Sequence, residues 1–328
     1  VQMAVYTIDS LLMAGAKAGG FPASIVMVID ETKGADAVLV YKSAVASLQD
    51  LDDPDARFVL TPNSPSEFLA RVVKSHFKLP NLSSDWMIEA DGAADVLKKM
   101  KAAKQSDKTA YVLWEPQVSQ AKKLPGVDVI LDSSRIKGLI VDVLVARREY
   151  LRDHPDKVRA VVEAYSRAAH HYRSQPGGFT KLVKSDDPNL SDTEAKSLVA
   201  GIQWKNTLEN YAHFGLVRGV AAGGQPNLED IIANVTDVLI KTSAIGSDPL
   251  GGRHSSLYFD QILTDLKADN FHPGNRMNLI EGLGQGTGDL QGVRTNANLG
   301  ALSDNQWETL QSVGDLDVPS IGFRRGSA

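Results

Sequence analysis

An apolar run that stops on Trp-Glu-Pro constrains this chain most. Ala110-Tyr-Val-Leu113 is short and apolar, and it ends abruptly in Trp114-Glu115-Pro116. An amphipathic stretch from Gln117 to Lys123 follows at once. The pattern predicts a buried strand passing directly into a helix, the repeating step of α/β folds. Proline suits a helix's first position because the amide it lacks would be unpaired there. In open α/β sheets, ligands are met beyond the carboxyl ends of strands. Trp114 and Glu115 stand at such an end. The alternative is a plain strand–helix turn with a core tryptophan.

A second junction has the same form. Arg57-Phe-Val-Leu-Thr-Pro-Asn63 is a short strand running into a turn, and Ser64-Pro65-Ser66-Glu67 opens a periodic helix. Ser64 as N-cap and Glu67 three residues on predict a capping box. The outward amides and the helix dipole at such a start favour an anion or a polar ligand. Ser64 and Ser66 are candidate contacts there; a cap with no further role is the alternative. Thr7 and Asp9 begin another helix, after a strand near residues 2–6. Asp142 lies inside an apolar strand, where a charge must be paired or face a polar cleft.

Strands are expected near residues 2–6, 25–29, 36–41, 57–61, 110–114, 127–131 and 139–146. Helices are expected near 8–18, 65–77, 91–103 and 117–123. This alternation predicts a doubly wound α/β arrangement. From about residue 149 the pattern becomes helical. With 328 residues the chain exceeds the usual size of one domain. A net charge of -5 and the lack of a dense Lys/Arg stripe argue against a nucleic-acid partner. No apolar run reaches the roughly 18–20 residues that a membrane span needs.

The chain has no cysteine, which removes disulfides, thiolate metal sites and cysteine nucleophiles and fits an oxidising compartment. His213, His254 and His272 lack carboxylate or histidine partners at metal spacing, and His170-His171 reads as a helix pair with no function. No nucleophile elbow or phosphate loop is present. The expectation is therefore no catalytic residue, no metal and no cofactor. The first and last residues each fall inside a pattern, so the chain reads as an internal fragment. The glycines at 282, 284, 286 and 288 read as linker.

Several segments, taken in order, resemble the extracytoplasmic solute-binding proteins of ABC importers, in the branch for nitrate, sulfonate, taurine and thiamine-precursor uptake. They are Thr7-Ile-Asp9, Asp30-Glu-Thr-Lys-Gly-Ala-Asp-Ala-Val38, Ser47-Leu-Gln-Asp-Leu51, Asn63-Ser-Pro-Ser-Glu67, Trp114-Glu-Pro116, Asp132-Ser-Ser134 and Gly138-Leu-Ile-Val-Asp-Val-Leu-Val145. Residues 202–215 look like a narrower subgroup, often named phosphate-binding, in which an OmpA-like domain follows. Ser320 to Ala328 looks like the truncated start of that domain.

The resemblance implies an α/β, two-lobed periplasmic-binding-protein-like fold of type II, here without the family's first strand and helix. It implies residues 1–42 plus 139–245 as lobe 1 and residues 43–138 as lobe 2. Crossings would fall near Val40–Ser43 and Gly138–Val141, with 246–328 as extension and linker. The implied function is capture of a small polar solute for an ABC importer's membrane subunits, in the periplasm or cell envelope. The solute would be an oxyanion such as phosphate, sulfonate or nitrate, or a small planar heterocycle. The implied ligand contacts are Thr7, Asp9, Thr32, Lys33, Gly34, Asn63, Ser64, Ser66, Trp114, Glu115 and Asp142. An envelope sensor or scaffold held to peptidoglycan through the missing domain is the alternative. An enzyme related to thiamine-pyrimidine synthesis is a more distant one.

Overall fold

Two sheets organise the chain, and each contains one strand buried along nearly its whole length. The computed structural model describes residues 1–175, 177–217 and 224–274. The first sheet has the order β1 (Met3–Thr7), β8 (Val141–Arg147), β2 (Ala23–Thr32), β9 (Ile202–Trp204). The second has the order β5 (Met87–Glu89), β4 (Arg57–Leu60), β6 (Thr109–Trp114), β3 (Asp36–Tyr41), β7 (Val127–Asp132). β2 is buried from Ser24 to Thr32, and β3 is buried throughout. Strands covered on both faces read as continuous hydrophobic runs, which is why neither shows polar alternation.

The second sheet shows how side-chain alternation divides its two faces. Val38, Val40, Ala110 and Val112 point to one face, against Phe68, Leu69 and Val73 of α2 (Pro65–Phe77). Ala37, Leu39, Tyr111 and Leu113 point to the other. That face is covered by Val96, Leu97 and Met100 of α3 (Gly92–Ala102) and by Val118 of α4 (Gln117–Ala121). Period-2 strands between period-3.6 helices make this lobe a three-layer sandwich.

The first sheet departs from the doubly wound expectation. All of its pairings are antiparallel, and parallel pairing among the described strands is confined to β4 with β5 and β6. The reason is topological: β8 returns from the second sheet and inserts between β1 and β2. The short strands β5 and β9 went unpredicted because three residues are too few to show a period.

The first crossing also differs from the sequence reading. Residues 36–41 pair with β6 and β7, so the chain changes sheets at Lys33–Ala35, not at Val40–Ser43. Lys33-Gly34-Ala35 thus joins an inner strand of one sheet to an inner strand of the other. Gly34 has φ +108°, a conformation that glycine adopts without steric cost. The return passage leaves β7 at Asp132, makes a 3-10 turn at Ser133–Arg135, and enters β8 at Val141.

Helices then surround the first sheet. They include α5 (Arg148–Asp153), α6 (Pro155–Ser174), α7 (Gly178–Asp186), α8 (Asp192–Ala200) and α9 (Thr207–His213). α1 (Ile8–Ala18) buries Ile8, Leu11 and Leu12 and ends at Gly19 in the left-handed region. α10 (Leu228–Lys241) packs against both α1 and α2, so it touches elements of both lobes. The described part of the extension, residues 246–274, belongs to the same compact unit as the residues before it. Leu257 and, on α11 (Gln261–Ala268), Ile262, Leu263 and Leu266 are buried in the first core, and Tyr258 bridges to Ile25 of β2. The glycine-rich stretch and residues 320–328, read as the start of an OmpA-like domain, lie outside the described residues.

Candidate ligand site between the lobes

Two helix starts, those of α1 beside the first sheet and α2 beside the second, lie against each other. Thr7 is both the last residue of β1 and the N-cap of α1, and its hydroxyl donates to Ser10 Oγ at 2.8 Å. Ser10 Oγ lies 3.3 Å from the Asn63 carbonyl oxygen, just before α2. Ser64 caps α2, accepting from the Ser66 amide at 3.2 Å and donating to the Thr61 carbonyl at 2.7 Å. Ser66 is buried, and its hydroxyl has no hydrogen-bond partner. The predicted residues Thr7, Asp9, Asn63, Ser64 and Ser66 thus lie along two adjoining helix starts.

The predicted capping box is shifted by one residue. The Glu67 carboxylate accepts from the Asn63 amide at 2.7 Å, not from Ser64. It also pairs with Arg71 at 2.6 Å, and Arg71 donates onward to the Thr242 carbonyl at the end of α10. Both members of this pair are buried. Asn63 has φ +52°, and this left-handed turn swings its amide towards Glu67.

Beside the start of α1 lies a group of buried carboxyls. In the strand register Asp142 stands opposite both Thr7 on β1 and Asp30 on β2. A register shift between Val28 and Asp30 marks a bulge, a device that re-aims the next side chain. Burial pushes the Asp30 carboxyl up to about 8, with the Asp142 charge adding to the rise. Asp142 is raised by burial too, and a hydrogen bond from Asp30 opposes that rise. Burial carries Asp9 up to about 7 and Asp36 up to about 6. Like charges facing each other across strands repel, so these acids hold protons that exposed ones would release.

Thr32, Lys33 and Gly34 lie on the first crossing. Thr32 Oγ1 donates to Asp36 Oδ2 at 2.7 Å and lies 2.9 Å from Ser133 Oγ. Ser133 Oγ also accepts from the Gly34 amide at 2.7 Å, which ties the two crossings together. Lys33 is exposed. Thr32 and Lys33 line a cavity of about 530 Å³ together with Ser133, Lys137, Gln203 and Gln225.

Trp114 and Glu115 form a separate arrangement. Trp114 ends β6 opposite Asp36 and packs, half-buried, on the second core. The Glu115 carboxylate accepts from the Ser119 amide at 3.1 Å and the Ser119 hydroxyl at 2.9 Å, one turn along α4, and from the Ser197 hydroxyl of α8 at 3.4 Å. Pro116 occupies the N-cap of α4, one position before the helix's first residue.

Sequence reasoning left Asp30, Asp36, Ser133 and Lys205 off the site. Lys205 is buried, with its ammonium 2.8 Å from Glu31 and 3.1 Å from Gln225. Asp30 and Asp36 are carboxylates in apolar strands just as Asp142 is, and that signal would have found them. Among the described residues no group of three or more His, Asp or Glu is arranged to hold a metal ion.

No family model matches the chain, and no curated protein matches it. Solved structures do. One is the ligand-binding component of an ABC-type import system from Staphylococcus aureus with zinc bound, at 12% identity and TM-score 0.56, covering 81% of this chain and 80% of that one. Another is the periplasmic aliphatic sulphonate binding protein SsuA from Escherichia coli, at 16% identity and TM-score 0.54, covering 79% and 76%. A third is the desulfurization enzyme DSZB, at 12% identity and TM-score 0.56, covering 82% and 86%. The chain has the mixed α/β, periplasmic-binding-protein-like fold of these neighbours.

Proposed function

We propose that this chain is an extracytoplasmic solute-binding protein that closes two lobes on one small polar solute and presents it to an ABC importer. The observation that carries the reading is the meeting of α1 and α2 starts from different lobes, with Ser10 and Asn63 in contact. Polar groups on two bodies joined by two crossings suit a clamp, because a ligand that touches both favours the shut state. The sulphonate-binding and import-system neighbours support the same reading. A desulfurization enzyme has the fold as well, so fold alone does not decide against catalysis. What favours binding over turnover is the absence of cysteine in the chain and the engagement of Glu115 by Ser119 and Ser197.

A thermal-shift panel of phosphate, taurine, nitrate, amines and pyrimidines tests the proposal. A bound solute at about 100 times its dissociation constant stabilises by about 2.7 kcal/mol. A shift with no conversion of the compound is the expected result. Steady conversion of the stabilising compound would overturn the proposal.

A further inference from the structure

Resting on that solute-binding reading, we propose that the site takes a cationic N–H donor, such as an amine, amidine or guanidine, whose positive head sits against the facing pair Asp30 and Asp142, beside Asp9. Asp30 and Asp142 are direct cross-strand neighbours, and Asp142 is also opposite Thr7, two residues before Asp9. Asp36 accepts from Thr32 on the same crossing. Asp30 and Asp142 thus face each other across two strands, and Asp9 stands in the first turn of the helix that begins beside them.

Two buried polar groups at this place lack a hydrogen-bond partner. Asp9 is 0% exposed, and its Oδ1 has no hydrogen-bond partner. The Tyr165 hydroxyl, on α6, is likewise buried and unpartnered. Both groups feel the Asp142 charge. A buried polar atom left unpaired costs about 1–3 kcal/mol, so a ligand that supplies the donor gains what the empty site forgoes. Asp142 itself is only half-buried, which leaves the group an approach from solvent.

Among the described residues, the protein brings no uncommitted cation to these acids. The buried ammonium acting on Asp30 is Lys205, and it is held by Glu31 and Gln225. The titratable groups that face the site are thus Asp9 from α1, Asp30 from β2, Asp36 from β3, Asp142 from β8, Tyr165 from α6 and Lys205 after β9. An oxyanion would meet four carboxyls before any positive partner. A metal ion fits less well than an organic cation, because these acids do not converge as a ligand set.

Calorimetric titration of the full chain with agmatine and putrescine, against taurine and inorganic phosphate, tests the inference. At least one cationic probe should bind. Its heat should change with the buffer's ionisation enthalpy, because the cation drives protons off the carboxyls, and its affinity should rise between pH 6 and pH 8. Asp142→Asn and Asp30→Asn should each weaken that binding at least tenfold while circular dichroism stays unchanged. If one variant fails to fold, the other and the buffer dependence still decide. Binding of taurine or phosphate with silence to both cations overturns the ligand class and leaves the solute-binding reading standing. Silence to both cations with no anion bound also overturns the ligand class. The solute-binding reading falls only if a compound that does bind is steadily converted.

Discussion

Replacing Asp9 by asparagine should make the protein less sensitive to rising pH. Asp9 is fully buried, and desolvation lifts its carboxyl from 3.8 to about 7. Between those values the native state holds a proton that the unfolded state has released. Stability is therefore fully present below about pH 4 and is lost as pH rises through the folded value. Each pH unit in that window removes about 1.4 kcal/mol, so the climb from pH 5 to pH 7 removes about 2 kcal/mol. An asparagine side chain cannot ionise, so the variant escapes this loss. Urea unfolding of ligand-free protein across pH 5 to 8 measures it: the stability of Asp9→Asn relative to wild type should climb by about 2 kcal/mol and then level off. Parallel stability curves across that range would refute the placement of a protonated Asp9 in the dry start of α1.

Other perturbations probe the frame around the cleft. Arg71→Met leaves Glu67 buried without its cation and should cost about 3–5 kcal/mol in chemical unfolding. Gly201→Ala places a Cβ 2.9 Å from the Ala35 backbone nitrogen at the first crossing, so a loss of about 1–3 kcal/mol is expected by thermal unfolding. Ser191→Ala removes a reciprocal cap in which Ser191 Oγ accepts from the Glu194 amide at 3.2 Å and Glu194 accepts from the Ser191 amide at 3.0 Å. About 1 kcal/mol should be lost, measurable in the same way.

Much of this frame was legible in the sequence because strand–helix junctions announce themselves. An apolar run followed by Ser-Pro or Glu-Pro placed β4, α2, β6 and α4 to within a residue or two. What was misplaced depends on partners far along the chain. β3 is apolar on both faces, so its own residues could not say which sheet it joins; its pairing with β6 and β7 decides that. Insertion of β8 between β1 and β2 likewise has no local signature.

The candidate site was half legible for the same reason. Thr7, Asp9, Asn63, Ser64 and Ser66 are readable as helix starts, whichever lobes carry them. Glu115 reads in sequence as facing a ligand, yet its carboxylate finds Ser119 one turn along α4, a local option that periodicity does not reveal. Asp30 and Asp36 become a group with Asp142 only once a bulge and a crossing bring them together.

Small-angle scattering with and without the stabilising solute tests the clamp most directly. The Ser10–Asn63 contact joins the lobes at their helix starts, and a ligand held there would favour the closed arrangement. The radius of gyration should fall on saturation with that solute and stay constant with a compound that does not bind. A saturated sample whose scattering matches the ligand-free protein, or one that expands, would contradict closure of two lobes on a solute.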